Sequence, residues 1–224
     1  MPLATQPPRI GDDGTLRIVV TVLALAGCLT AGDLQLWNQT DVRLVQRGRF
    51  AWSAFGGFRL RDGLSDAYDE RIGTEVNVDL RERLSLAAGY LHRWLDSTGD
   101  GFAKHNRIYV SPGFTLAVRP ARVDWVMQLE RHWPPGRPSY NRYRPRVEIE
   151  RFQKIVTPFL SQEFLFQREG FLRSRTVAGL RWRLESGTSF EAGYLFDSMK
   201  IGQRWTPRHA IRTALSFGFP RKRT

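Results

Sequence analysis

Charged side chains recur at every second position in one short segment of the chain. In the segment 142–150, the even positions hold Arg142, Arg144, Arg146, Glu148 and Glu150. A β-strand points alternate side chains to opposite faces, so a strand here would carry all five charges on one face. Guanidinium groups bind phosphates and carboxylates through paired N–H donors. The arginines could therefore grip a nucleic acid, or they could meet carboxylates inside a closed barrel.

Similar alternating charges occur in other segments. If all of these segments are strands of one closed barrel, their polar faces would meet across its lumen. The predicted lumen network consists of Arg71, Glu75, Asp79, Arg142, Arg144, Arg146, Glu148, Glu150, Glu163, Arg173, Arg175, Arg181, Arg183, Glu191 and Arg212. Two interpretations of this network remain open. It is either an ion-pair core that supports the wall, or the lining of a narrow pore that favours a small anionic solute.

The histidines are the residues that a small membrane hydrolase would use. Such an enzyme needs a nucleophile, a histidine and an orienting carboxylate or amide. The four histidines are His92, His105, His132 and His209, and none lies in a recognisable nucleophile motif. His92 and His209 lie on the apolar face of their segments, where contact with the membrane interface is expected. We therefore expect no enzymatic activity, and a lipid-acting outer-membrane enzyme is the alternative.

The sequence contains no spacing typical of a metal or cofactor site. The acidic segment 96–101, DSTGDG, lacks the closing glutamate of a calcium loop, and no glycine-rich phosphate loop occurs. The single cysteine, Cys28, excludes a disulfide framework or a cysteine-rich zinc site within one chain. We therefore expect neither a metal nor a cofactor.

The elements that would position the charged residues are β-strands. From residue 33 onward, apolar and polar residues alternate, and we count eleven candidate strands, at 34–46, 48–61, 70–80, 83–94, 105–118, 122–133, 141–152, 155–167, 171–185, 187–199 and 205–219. Most have about ten or more residues, the length with which a tilted strand crosses a bilayer. Strands of soluble sandwiches are usually about half as long.

Links of two lengths alternate along the chain. Tight turns would join the strands at one rim, and looser loops at the other, at 62–69, 95–104, 134–140, 168–170 and 200–205. This arrangement is typical of outer-membrane barrels. Such barrels have an even number of strands in bacteria, with both chain ends in the periplasm. The eleven candidates therefore predict about twelve strands, with ten as the alternative.

Aromatic residues near the ends of the candidate strands predict the two interfacial girdles of a membrane barrel. They are Trp37, Trp52, Tyr90, Trp94, Trp133, Trp182, Tyr194 and Trp205.

Residues 1–32 are expected to be a signal peptide. The apolar run at 18–30 follows Arg17 and is too short to cross a bilayer as a helix, and the small residue Gly32 suits cleavage. The segment LAGC that ends at Cys28 also fits a lipoprotein processing box, so lipidation of Cys28 is a second interpretation. A chain that leaves the cytoplasm is not expected to bind nucleic acid, despite its net charge of +12.

Several short motifs follow one another in a recognisable order. They are Trp37, Gly89-Tyr90, the ladder 146–150, Glu163-Phe164, Arg175 with Gly179-Leu180, Gly193-Tyr194 and His209. This order resembles a family called domain of unknown function 2490, and the resemblance covers most of residues 33–219. It implies a bacterial outer-membrane barrel and brings no activity and no catalytic residues. Phe219 also resembles the aromatic residue that ends the barrel-assembly signal.

These patterns predict an all-β protein, an antiparallel transmembrane barrel in a Gram-negative outer membrane. Residues 1–32 would be the signal peptide, 33–219 the barrel and 220–224 a short basic tail. The expected partners are outer-membrane lipid and the barrel-assembly machinery, and we expect a porin-like monomer. The alternative is a soluble periplasmic β-barrel binding protein, which would turn its apolar faces inward and its charges outward.

Overall fold

The chain folds into a closed β-barrel in the computed structural model, which describes residues 34–96, 101–151, 155–184 and 187–218. The strands of this part are β1 (Leu34–Arg47), β2 (Phe50–Arg61), β3 (Asp66–Arg81), β4 (Leu84–Leu95), β5 (Ala103–Val118), β6 (Ala121–Trp133), β7 (Tyr140–Arg151), β8 (Val156–Gln167), β9 (Gly170–Arg183), β10 (Ser189–Ile201) and β11 (Arg204–Phe217). Strands adjacent in sequence pair antiparallel, and β1 pairs with β11. No helix in the described ranges is long and apolar enough to cross a membrane.

The described residues form eleven strands, one fewer than the twelve expected and one more than the alternative ten. Each hairpin reverses the chain direction, so the first and last strands of an odd-numbered barrel run the same way. β1 and β11 accordingly pair in parallel, with Leu34 opposite His209 and Val42 opposite Phe217. The expectation that both ends lie at one rim is therefore wrong for the described strands, because β1 begins at the rim opposite to the one where β11 ends.

The two rims differ in their connections. Two-residue links at 48–49, 82–83 and 119–120 lie at one rim, which we call the turn rim. Longer connections at 62–65, 96–102 and 134–139 lie at the other, the loop rim. Two connections expected to be loose, at 168–169 and 202–203, are instead tight turns of the loop rim. Gly170 and Gly202 adopt positive φ angles next to or within them, which tight hairpins require.

The barrel turns its charged side chains inward and its large apolar side chains outward. On β2, Trp52 is 42% exposed on the outer face, whereas Arg59 on the inner face is 8% exposed. Large apolar residues with more than a third of their surface exposed occur on every strand from β1 to β11. Alternation in the sequence predicts two faces but does not say which one is inside. The structure assigns the charged face to the lumen.

A small apolar cluster interrupts the polar inner wall. It consists of buried residues from β1 and from β8 to β11, namely Trp37, Phe159, Val177, Leu195 and Ala210. We predicted Trp37 at a membrane interface, and this prediction is wrong. Trp37 shares the parity of the inward-facing Gln39, so its ring enters the lumen, where it is only 5% exposed.

A β-bulge in β3 brings two successive side chains into the lumen. Arg59 lies opposite Asp69 and Leu60 lies opposite Ala67, so Tyr68 has no partner on β2. Bulged residues leave the strict alternation of a strand. Both Tyr68 and Asp69 are buried, and the Tyr68 hydroxyl donates a hydrogen bond to Gln35 Oε1 at 2.9 Å.

Candidate functional site

The loop-side half of the lumen contains a small cavity with walls made almost entirely of arginine. Its volume is about 110 Å³, and it is lined by Leu91 and eight arginines, Arg59, Arg71, Arg93, Arg107, Arg142, Arg144, Arg173 and Arg175. We call this cavity the arginine pocket. Its arginines come from six strands, and each lies two to five residues from the loop-rim end of its strand. The inward parity of these strands therefore concentrates positive charge at one level of the barrel.

Guanidinium groups that bridge two carboxylates connect neighbouring strands at this level. Arg144 donates to Glu130 and to Glu163, each at 2.6 Å. Arg175 binds Glu163 at 2.8 Å and Asp197 at 3.2 Å. Ion pairs to charged, hydrogen-bonded partners are the strong ones, and the fork of an arginine suits two acceptors. These bridges join β6, β7, β8, β9 and β10 into one network.

Buried carboxylates bind the other arginines of the pocket. Asp69, with no exposed surface, accepts a paired fork from Arg93 at 2.6 and 2.8 Å and lies 3.1 Å from Arg59 Nε. Asp197 accepts a similar fork from Arg173. Eight guanidinium groups thus face four carboxylates, Asp69, Glu130, Glu163 and Asp197, which leaves an excess of four positive charges.

Arg71 differs from the other seven arginines of the pocket. It makes no hydrogen bond and no ion pair with any residue that the structure describes, yet it lines three adjoining cavities. Four other arginines of the pocket also have a buried Nε atom without a hydrogen bond to a described residue, namely Arg59, Arg107, Arg142 and Arg144. Of these atoms, Arg59 Nε still lies 3.1 Å from Asp69. Such unpaired buried donors are uncommon in proteins, because leaving them unpaired is costly.

The Trp37 ring holds guanidinium groups from two distant parts of the wall. Arg59 of β2 lies 3.7 Å from the ring centroid, and Arg175 and Arg173 of β9 lie 5.1 and 5.8 Å from it. Cations are attracted to the face of an indole ring. Because β10 and β11 separate β9 from β1 in the barrel, these contacts cross part of the lumen. These contacts narrow the lumen in its loop-side half.

A larger cavity of about 410 Å³ adjoins the arginine pocket on the side of the turn rim, and we call it the central cavity. The two share Arg71, Leu91, Arg107 and Arg144. Short uncharged polar side chains contribute much of the remaining lining, namely Gln39, Ser53, Asn77, Ser85, Ser111 and Gln128. The Ser111 hydroxyl is buried and has no hydrogen-bond partner in the described ranges.

A second ion-pair cluster lies in the turn-side half. Arg181 binds Glu148 at 2.8 Å, Glu191 at 2.6 Å and also Glu150. Arg183 binds Glu150 at 2.8 Å, and Arg212 lies 3.8 Å from Glu191. The three arginines of this cluster are balanced by its three glutamates. The excess positive charge of the lumen is therefore concentrated near the loop rim.

The structure brings most of the predicted lumen residues into these two groups. Six belong to the arginine pocket and its network, Arg71, Arg142, Arg144, Glu163, Arg173 and Arg175. Six form the turn-side cluster, Glu148, Glu150, Arg181, Arg183, Glu191 and Arg212. Between them, Arg146 lines the central cavity and Glu75 accepts a hydrogen bond from Tyr109 at 2.9 Å. Asp79 is the exception: it is exposed near the turn rim and makes no ion pair with a described residue.

Several residues of the arginine pocket and its surroundings were not predicted from the sequence. They are Arg59, Asp69, Arg93, Arg107, Glu130 and Asp197, together with Trp37. Except for Asp69, which fell in the predicted loop 62–69, each of these residues lies on the inward parity of a candidate strand, so the signal for them was present. The interruption of alternation by the bulge at Tyr68 hid Asp69.

The four histidines divide between the two faces of the wall. His132 and His105 are buried in the lumen, where His132 lies 2.7 Å from Glu130 and 3.0 Å from His105. His92 and His209 lie on the outward parity, and their rings contact Asn106 and Tyr194. Within the described ranges, no serine hydroxyl is hydrogen-bonded to a histidine, and no group of three metal-ligating side chains occurs.

The predicted signal peptide 1–32 with Cys28, the tail 220–224, Phe219 and residues 97–100 of the acidic segment lie outside the described residues.

Comparison with known proteins gives one match. A family model described as "Protein of unknown function (DUF2490)" matches residues 34–206, from the first residue of β1 into β11. Searches of curated proteins and of solved structures returned no match.

Proposed function

The chain belongs to the DUF2490 family, and from that premise we propose that it is an outer-membrane β-barrel with a lumen that ion pairs close on the loop side. The polarity of the wall carries the proposal. Every strand from β1 to β11 presents large apolar side chains to the outside, and the ion-pair networks lie inside. Soluble monomers rarely expose apolar patches beyond a few hundred Å². A soluble binding protein would need the reverse polarity.

The dimensions of the wall support a membrane location. The shortest strands have 12 residues and the longest 16, and about 9 to 11 tilted residues cross a bilayer. Tryptophans lie near both ends of the outer face. Trp52, Trp125 and Trp182 are on the turn side, and Trp94, Trp133 and Trp205 are on the loop side. These positions suit two interfacial girdles.

The interior supports a packed core rather than a wide pore. Bridging arginines tie five neighbouring strands together, and guanidinium groups from β2 and β9 meet at Trp37. Ion pairs at this depth hold side chains in fixed positions across the narrow space. We therefore propose that the charged interior mainly supports the wall.

The remaining features of the proposal follow from its location. A signal peptide would direct the chain out of the cytoplasm of a Gram-negative bacterium, and the barrel-assembly machinery would insert it as a monomer. Outer-membrane lipid would contact the apolar outer face. We also propose that the protein has no nucleic-acid partner, because it would lie outside the cytoplasm. We propose no enzymatic activity, because the lumen histidines contact each other and Glu130 rather than a nucleophile.

Cell fractionation and gel migration test the location. We expect the protein in the outer-membrane fraction, and we expect the unheated sample in detergent to migrate differently from the heated one. Recovery in the soluble periplasm would eliminate the membrane proposal.

A narrow anion pore is the second candidate function. The excess of four positive charges and the adjoining cavities of the lumen favour it. Single-channel recording in planar bilayers separates the two candidates, because the closed core predicts no steady conductance steps from folded protein. Regular steps with a reversal potential that indicates anion selectivity would support the pore.

A further inference from the structure

The arginine pocket lacks enough negative charge to balance its arginines. Four carboxylates face eight guanidinium groups, and Arg71 has no acceptor among the described residues. Burying a charge without a partner is costly, so proteins usually supply a counter-charge. A bound anion would supply it at the place where the excess is largest.

The unused donors indicate which kind of anion the pocket would take. Arg71 offers a whole guanidinium fork, and Arg107 and Arg142 keep buried Nε donors without partners. A phosphoryl group carries up to two negative charges and several strong acceptor oxygens. Planar arginine forks match these oxygens in pairs. A halide ion would satisfy the charge but would not match the paired geometry.

The central cavity indicates what the phosphoryl group would be attached to. It is about 410 Å³ in volume, within the range of small-ligand sites, and Arg71 lines both it and the arginine pocket. Its serine, asparagine and glutamine side chains can each donate and accept hydrogen bonds. Ser111 has an unpaired buried hydroxyl there. Hydroxyl groups of a ligand would satisfy these side chains, whereas an apolar body would leave them unpaired.

From these observations we propose that the lumen binds a small phosphorylated polyol. Its phosphoryl group lies in the arginine pocket against Arg71, and its hydroxyl-bearing body lies in the central cavity against Ser111 and Gln128. The inference rests on the closed lumen of the proposed function and names the ligand class of that lumen. It does not depend on the membrane location.

Unfolding of the full barrel in detergent tests the proposal. The midpoint temperature of unfolding is measured with inorganic phosphate, glucose 6-phosphate, glucose or sodium chloride at matched ionic strength. We expect glucose 6-phosphate to raise the midpoint most, phosphate to raise it less, and glucose and chloride to leave it nearly unchanged. Equal shifts with phosphate and chloride would mean that only general screening occurs, and the proposal would be wrong.

The substitution Arg71→Gln tests the phosphoryl site directly. Because Arg71 makes no hydrogen bond and no ion pair with a described residue, its removal breaks no direct contact of this kind. We expect the midpoint of the ligand-free protein to stay equal or rise, and phosphate to bind about 10- to 100-fold more weakly. A phosphate shift that survives in Arg71→Gln, or a clear loss of ligand-free stability, contradicts the proposal.

Two further variants separate the parts of the site. Arg131→Gln removes an exposed arginine of the outer wall and should bind both phosphate compounds like the original protein. Gln128→Leu should abolish the advantage of glucose 6-phosphate over inorganic phosphate without weakening phosphate itself. An unchanged advantage would show that Gln128 does not contact the hydroxyl-bearing body and would overturn its placement in the central cavity. Equal shifts with glucose 6-phosphate and inorganic phosphate in the original protein would show that the ligand is a free oxyanion and would overturn the polyol part. Cell fractionation tests the membrane location and ligand-dependent unfolding tests the ligand site. The failure of one proposal can therefore be distinguished from the failure of the other.

Discussion

At the residue scale, the lumen is organised by arginines that each serve more than one carboxylate. Arg144, Arg175 and Arg181 all bind at least two acidic side chains. Loss of one shared carboxylate removes a charged partner from two buried guanidinium groups at once, and a buried charge that loses its partner is strongly destabilising. The stability of the barrel should therefore be sensitive to single acidic residues of the lumen.

Glu163 provides the clearest test of this sensitivity. It accepts from Arg144 at 2.6 Å and from Arg175 at 2.8 Å, and its side chain is 12% exposed. We expect Glu163→Gln to lower the free energy of unfolding by about 3–5 kcal/mol, because two buried guanidinium groups lose a charged partner. Urea unfolding in detergent measures this change. Glu169→Gln, in the exposed turn at 168–169, is the matched control and should have almost no effect. Equal urea midpoints for the two variants would contradict the proposed role of Glu163 in the ion-pair network.

The residues of the site were predictable only in part. Alternation predicted that Arg142, Arg144 and Glu163 lie on the polar faces of their strands, because the face of a side chain depends only on its position within its own strand. It could not show that Arg144 lies between Glu130 and Glu163, because that depends on the register of three strands. Nor could it identify Arg71 as the arginine without a partner. Contacts across a barrel depend on strand number and stagger, which no single segment contains.

At the element scale, inward-facing glycines make room for aromatic rings of neighbouring strands. A Cβ atom on Gly89 would lie 2.3 Å from the Tyr109 ring, and one on Gly73 would lie 2.4 Å from the Phe55 ring. Glycine in a strand often marks such a close approach. The ring then covers the bare backbone, and at Gly89 it also directs the Tyr109 hydroxyl to Glu75.

The substitution Gly89→Ala tests this packing. The added methyl group would displace the Tyr109 ring and its hydrogen bond to Glu75, so we expect a loss of about 1–3 kcal/mol in the free energy of unfolding. Gly56→Ala is the control, because its nearest neighbour to a new Cβ atom is the Arg71 carbonyl oxygen at 3.5 Å. Urea unfolding measures both variants, and we expect a lower midpoint for Gly89→Ala than for Gly56→Ala. Similar midpoints for both variants would show that the ring can move without cost.

The strands themselves were predicted well because apolar and polar residues alternate over about ten residues in most of them. The candidate at 122–133 corresponds to β6, and the candidate at 83–94 is offset by one residue from β4, for example. The bulge at Tyr68 and the tight turns at 168–169 and 202–203 were not predicted. Bulges and turn lengths depend on how two strands pair, and polar residues beside a turn resemble a loop in the sequence.

At the scale of the whole molecule, the two rims differ in connection length and in charge. The arginine pocket lies toward the loop rim, and the balanced turn-side cluster lies toward the turn rim. The lumen therefore has a direction. An anion that enters from the loop rim would meet the excess positive charge first.

The proposed orientation in the membrane can be tested with inserted epitopes. Outer-membrane barrels place their longer connections on the cell surface and their short turns in the periplasm. We expect a tag inserted after Gly136, in the connection 134–139, to bind antibody on intact cells. A tag inserted after Glu82, in the link 82–83, should bind only after the outer membrane is permeabilised. Labelling of the Glu82 tag on intact cells, with none at Gly136, would reverse the orientation.

The closure of the barrel was the feature that the sequence predicted least well. Alternation predicts a set of hairpins but contains no signal for the strand that meets β1. The rule of even strand numbers led us to expect twelve, whereas the described chain closes after eleven through a parallel pair. Local patterns cannot determine this contact, because its partners are far apart in the sequence.

The parallel pairing of β1 with β11 also constrains the order in which the molecule can form. Asn38 donates a hydrogen bond to Thr213 at 3.0 Å across this pair, although 175 positions separate the two residues along the chain. Contacts of such long range form late, after the local hairpins. Until then β1 has one unpaired edge, which could bind a strand of another chain. A nascent barrel must therefore keep its first strand protected until its last strand arrives.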